Sequence, residues 1–190
     1  MNTDDRDVLR SLSATENRTR HPCSSASLSV REIAASGGAR IHDVRIIPLR
    51  RVPDERGTIM HMLRADDPHF RGFGEIYFST IYRDVVKGWH RHREMTLNYA
   101  CVSGRIKLVM HDDRLHSPTR GATQEVYLGP DQYSLVQIPP GIWNGFKGMT
   151  EPHAIVANCC THAHAPEAER TERLDPFNNS IAYDWGVRCH

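Results

Sequence analysis

The sequence predicts an all-β fold, a sandwich or barrel with short peripheral helices, and three observations carry that reading. From Val44 onward, apolar stretches of about five to eight residues, rich in β-branched and aromatic side chains, are bounded by Gly, Pro, Asp or Ser. No segment beyond Gly38 sustains a helical period over three turns. The aromatic side chains, 5 Phe, 3 Trp and 6 Tyr among 190 residues, all lie at or after Phe70, so the chain is uneven along its length. Many short strands at this spacing argue for a sandwich or barrel.

In chain order, residues 1–27 are rich in Ser, Thr, Asn and charge and carry few apolar side chains. They bury too little surface to offset their ordering entropy, so a flexible tail is expected ahead of a single domain over residues 28–190. A short helical turn is expected over Val30 to Ala35, ended by Gly37-Gly38. Strand-like runs follow at Val44 to Leu49, Thr58 to Leu63, Glu75 to Tyr82, Val85-Val86, Thr96 to Val102, Ile106 to Met110, Gln124 to Leu128 and Tyr133 to Ile138. Ser103-Gly104 reads as a tight hairpin and Gly129-Pro-Asp131 as the next turn, while Pro139-Pro-Gly141 stops a strand. The rings of Tyr183-Asp-Trp185 are expected to dock on the barrel.

Composition excludes several function classes. Lys+Arg 24 against Asp+Glu 23 gives a formal net charge of +1, which removes the electrostatic reason to expect nucleic acid or an anionic membrane as partner. No apolar run approaches the roughly 20 residues of a membrane span. The polar, acidic start lacks a secretory pattern, so a cytoplasmic location is expected. Cys23, Cys101, Cys159, Cys160 and Cys189 form an odd set without C-x-x-C spacing, which fits reduced thiols, with Cys159-Cys160 read as a buried strand feature.

The densest polar constellation is Lys87-Gly-Trp-His90-Arg-His92-Arg-Glu94. Strand alternation puts His90, His92 and Glu94 on one face and Arg91 and Arg93 on the other. Spacing leaves open whether the histidine face points into a pocket or into solvent.

Asp54-Glu-Arg-Gly57, Val86-Lys-Gly-Trp-His90, Val102-Ser-Gly104, Ser117-Pro-Thr119, Val136-Gln-Ile-Pro-Pro-Gly141 and Asn144-Gly-Phe146 occur in that order. Together they resemble the successive motifs of the dTDP-4-dehydrorhamnose 3,5-epimerase family, over about residues 43–185. The resemblance implies a cupin jelly roll and a homodimer in which N-terminal strands pair across subunits. It also implies action without cofactor or metal on a nucleotide-linked 4-keto-6-deoxy sugar. Epimerising a carbon beside a ketone needs a base, a group that holds the enolate, and an acid on the opposite face. By resemblance the base is His90 and its orienting carboxylate Asp175, while Arg56 and Lys87 meet anionic oxygens. The alternative for Arg56 is a turn residue paired with Asp54.

The chain also departs from the family pattern. The family's enolate-holding lysine falls at Thr96 or Leu97, its tyrosine acid near Asn158, and a turn histidine at Asn144. His92, Arg91 and Arg93 are candidates for the missing cation, and Asn144 for a hydrogen bond to an oxyanion. Glu75, Tyr77 and Ser79 lie on the strand where the family reads its base, and a carboxylate at Glu75 accepts from an amino group but cannot donate to a carbonyl. The expected function is an epimerase or isomerase of a nucleotide-linked 4-keto-deoxy sugar, acting at one or both carbons beside the ketone. A metal-dependent cupin built on His90, His92 and Glu94, and a non-catalytic sugar-nucleotide-binding cupin, are the alternatives.

Overall fold

The computed structural model describes residues 39–163 and 171–186 and contains twelve strands, most of them short alternating or continuous apolar runs, with β2 and the three-residue β12 the polar exceptions. They are β1 (Arg45–Pro48), β2 (Arg51–Asp54), β3 (Gly57–Met60), β4 (Glu75–Tyr82), β5 (Val86–His92), β6 (Leu97–Ser103), β7 (Ile106–Asp112), β8 (Thr123–Leu128), β9 (Ser134–Ile138), β10 (Ile142–Gly148), β11 (His153–Cys160) and β12 (Thr171–Arg173). The expected tail, the turn at Val30 to Ala35, Cys23 and Cys189 lie outside the described residues. No helix among the described residues is long and apolar enough to cross a membrane.

Two five-stranded sheets, ordered β1-β9-β6-β11-β4 and β12-β5-β10-β7-β8, face each other, and β2 and β3 form a separate hairpin. All named pairings are antiparallel. This is the jelly-roll arrangement, in which the inner faces of both sheets share one core. That core holds Leu97, Tyr99, Ile106, Leu108, Met110, Val136, Ile138 and Phe146, each nearly or fully buried.

Ser103-Gly104 is not a hairpin. β6 pairs with β9 and β11, and β7 with β8 and β10, so the chain crosses from one sheet to the other at this turn. Gly104 makes the crossing possible: its φ of +69° suits glycine, and a Cβ there would meet Ala154 Cα at 2.9 Å. Gly129-Pro-Asp131 likewise carries the chain from β8 to β9, between sheets.

Outside the second sheet a smaller cluster forms, in which Trp185 lies 5.0 Å and Tyr183 5.9 Å, centroid to centroid, from the buried Trp89. The rings of the C-terminal segment do dock on the barrel. Cys159 and Cys160 are both buried in β11. The serine-proline-threonine motif has a structural use. Ser117 and Thr119 hydroxyls donate to Asp112 Oδ2 at 2.5 and 2.7 Å, and Arg114 donates to both carboxylate oxygens, closing the β7–β8 connection over a fully buried aspartate.

Candidate active site

Between the open ends of the two sheets lies a cavity of about 760 Å³. β5 supplies Lys87, His90 and His92 to its wall, β4 supplies Glu75, Tyr77 and Ser79, and Tyr99 of β6 and Asn158 of β11 close its floor. The short β12 completes it from the other side, with Thr171 and Arg173 beside His92 and His90 in register. Strand alternation points His90 and His92 inward and Arg91 outward, while Lys87, of the opposite parity, lies across the register shift of the β10–β5 ladder. The histidine face therefore looks into the cavity.

His90 is set by its neighbours. Its Nε2 lies 3.1 Å from the Tyr99 hydroxyl, and its ring stands edge-on to His92 at 5.7 Å between centroids. Its backbone carbonyl accepts the Asn144 side-chain amide at 3.1 Å. Burial, then the neighbouring His92 and Arg173, push the imidazole down to a pKa of about 3, so at neutral pH it is uncharged and carries a lone pair. His92 Nδ1 is hydrogen-bonded to Thr171 Oγ1 at 3.1 Å. Lys87 Nζ donates to Ser79 Oγ at 2.8 Å and to the Thr80 carbonyl at 2.6 Å, which bridges β5 to β4 across the rim of the cavity.

An amide and phenol network underlies the floor. Asn158 Oδ1 accepts the backbone N–H of Asn98 at 3.1 Å, so its Nδ2 is the end that donates to the Tyr77 hydroxyl, at 2.9 Å. Tyr77 in turn shares a side-chain hydrogen bond with Tyr99, and burial holds the Tyr99 phenol well above its usual pKa. Asn98 and Gln137 continue the row, with Gln137 Nε2 donating to Asn98 Oδ1 at 2.9 Å. Such satisfied buried amides fix geometry, since each group left alone would cost roughly 1–3 kcal/mol.

Several expected site residues lie elsewhere. Asp175 does not meet His90; β12 ends at Arg173, and the exposed Asp175 carboxylate accepts the backbone N–H groups of Phe177 and Asn178 at 2.8 Å each. Arg56 sits in the β2–β3 turn, its side chain 83% exposed, paired with Asp54 at 2.7 Å, and it does not line the cavity. Asn144 is buried beside β5, where it donates to the carbonyls of His90 and Ile142, so it anchors backbone and does not face the cavity. Arg91 and Arg93 are held on the outer face by Glu172, and Arg91 also by Asp113 at 2.7 Å. Glu94 lies beyond the end of β5 and lines a different cleft with Arg45 and Arg71. The set His90, His92 and Glu94 is thus not brought together, and among the described residues no three His, Cys, Asp or Glu side chains are grouped to hold a metal.

Three polar cavity residues, Tyr99, Thr171 and Arg173, are not evident in the sequence. Tyr99 sits in a continuous apolar run and reads as core, which at 3% exposure it also is. Arg173 sits two residues before Asp175, in a charged segment with no strand-like pattern to mark it.

The family model described as dTDP-4-dehydrorhamnose 3,5-epimerase matches residues 38–189. The chain is 32% identical over 152 residues to the probable low-salt glycan biosynthesis epimerase Agl13 of Haloferax volcanii, covering 79% of this chain and 97% of that protein. Among solved structures, the dTDP sugar isomerase from Desulfovibrio desulfuricans superposes with a TM-score of 0.72 at 41% identity, over 76% of this chain and 92% of that one. The dTDP-6-deoxy-D-glucose-3,5-epimerase RmlC from Legionella pneumophila, solved in complex with dTDP-4-keto-L-rhamnose, superposes with a TM-score of 0.68 at 25% identity, over 80% of this chain and 82% of that one.

Proposed function

The chain belongs to the dTDP-4-dehydrorhamnose 3,5-epimerase family and is a sugar-nucleotide epimerase, and we propose that it inverts a carbon next to the ketone of a nucleotide-linked 4-keto-deoxy sugar with His90 as the base. The observation that carries this reading is the uncharged His90 imidazole, held by Tyr99 at the wall of a cavity large enough for a sugar nucleotide. The α-proton passes to the imidazole, and the electron pair of the broken C–H bond moves into the enolate. Among the described residues no carboxylate is hydrogen-bonded to His90, whose ring partner is Tyr99, so the charge that stabilises the imidazolium comes from the substrate: its diphosphate and the growing enolate oxygen.

Arg173, in register with His90, and Lys87 are the cations at the cavity wall suited to those oxygens. Leu97, buried in the core, offers no ammonium where the family's lysine was expected, which gives Arg173 the greater share of that work. His92 and Ser79 bind the sugar, and Glu75 and Tyr77 line the side where a base or sugar hydroxyl rests. The enzyme works as a cytoplasmic homodimer of one domain over residues 28–190. Support for the dimer comes from β4, the last strand of its sheet, which exposes Ile76, Phe78 and Tyr82.

Incubation with a dTDP-linked 4-keto-6-deoxy hexose, followed by proton NMR of the sugar ring, tests the function. Inversion at a carbon flanking the ketone is expected, and a sugar left in its starting configuration at both carbons would reject it.

A further inference from the structure

The geometry points to Tyr77 as the acid that returns the proton, with Tyr99 as the hydrogen-bonded link that recharges it from His90; this rests on His90 being the base. Inversion needs a donor on the wall facing the base. His90 belongs to the sheet containing β5, whereas Tyr77 belongs to β4 in the opposing sheet, and both line the same cavity.

The direction of the hydrogen bonds favours Tyr77. The Asn158 amide is orientation-fixed because its oxygen takes the Asn98 backbone N–H, so its nitrogen must donate to the Tyr77 oxygen. A phenol oxygen that accepts a hydrogen bond gives up its own proton more readily, because the donor stabilises the phenolate. Asn158 and Tyr77 are directly opposed in the β11–β4 ladder, so backbone pairing fixes the contact. The phenol missing from position 158 is thus supplied by the neighbouring strand, with the residue at 158 serving as its hydrogen-bond donor.

The proton count closes without a co-reactant. The C–H bond on the His90 side breaks and its electrons enter the enolate. The Tyr77 O–H bond then breaks as a new C–H bond forms on the other face. The Tyr77 phenolate takes the Tyr99 proton, Tyr99 takes the Nε2 proton of the imidazolium, and His90 is neutral again. Tyr99 acts through its neighbours in this scheme, since its hydroxyl is hydrogen-bonded to both His90 and Tyr77.

The test is Tyr77→Phe, which removes one oxygen from a half-exposed side chain. The dTDP-linked 4-keto-6-deoxy hexose is followed in D₂O by NMR, reading deuterium entry and inversion separately. The expected result is inversion slowed about 100-fold or more, while deuterium still enters at the unchanged configuration through His90. Inversion at the wild-type rate, or exchange and inversion lost in equal proportion, would overturn the proposal. Wild-type protein that exchanges no deuterium would instead refute the base reading, so the two failures are distinguishable. Tyr99→Phe supplies the second readout: it is expected to change the pH dependence of inversion, and a profile unchanged from wild type would count against the link.

Discussion

His90 meets the Tyr99 hydroxyl at 3.1 Å across the gap between the two sheets. The imidazole is therefore tied to a group that neither adds charge nor offsets burial. A histidine held neutral in the fold but able to protonate when unfolded makes stability depend on pH in a definite direction. With the folded pKa at about 3 and the unfolded value near 6.5, the unfolded chain binds the extra proton between those limits, so this group costs stability as pH falls from about 6.5 toward 3.

His90→Gln is expected to flatten the acid side of the stability curve by up to about 1.4 kcal/mol per pH unit in that window. Urea denaturation at a series of pH values checks it, and parallel curves for the two proteins would contradict it.

Arg173 lies opposite His90 in the β12–β5 ladder and contributes to holding its pKa down, after burial and His92. Arg173→Gln is expected to raise the His90 pKa and to weaken binding of a dTDP-sugar about tenfold, the loss of one charge-assisted hydrogen bond. NMR titration of the imidazole and calorimetry read the two effects separately.

Gly88 and Gly145 let β5 and β10 approach so closely that a Cβ on Gly145 would lie 2.9 Å from Gly88 Cα and 3.0 Å from the Lys87 carbonyl. Gly145→Ala is expected to cost about 1–3 kcal/mol by forcing the strands apart. Because that strand pair carries His90, epimerase activity should fall together with the denaturation midpoint.

Asp112 is fully buried; burial raises its pKa, but hydrogen bonds from Arg114, Ser117 and Thr119 outweigh that and hold the carboxyl well below the usual range. Its stabilisation is present above the ordinary carboxylate pKa and is lost as pH falls below it. Asp112→Ala should cost about 1–3 kcal/mol at neutral pH, because it removes the acceptor shared by Ser117, Thr119 and Arg114, although Arg114 keeps the His42 carbonyl and Asp43. Thermal melts at neutral and at acid pH should show the difference narrowing in acid.

Strand content was readable because alternation and turn residues are local signals: β4, running from Glu75 to Tyr82, appears in the sequence with its boundaries. β10 was less visible because Asn144, Gly145 and Lys147 interrupt its apolar run. The crossing at Ser103-Gly104 looked like a hairpin because turn chemistry does not encode whether consecutive strands pair or change sheets. At the site, His90 and Lys87 were legible from their motif, whereas Asp175 was misplaced because β12 is three residues long and stops before reaching it. Tyr99 was hidden because a phenol inside an apolar strand carries no local sign of a hydrogen-bonding role.

Solvent exchange tests the proposal that His90 removes a proton next to the ketone: wild-type protein and His90→Gln are incubated in D₂O with a dTDP-linked 4-keto-6-deoxy hexose and followed by NMR. Deuterium should enter beside the ketone with the wild-type protein and fall by about 100-fold or more with the variant, whose midpoint of unfolding confirms that it is folded. Exchange at the wild-type rate in His90→Gln, or no exchange in either protein, would contradict the account.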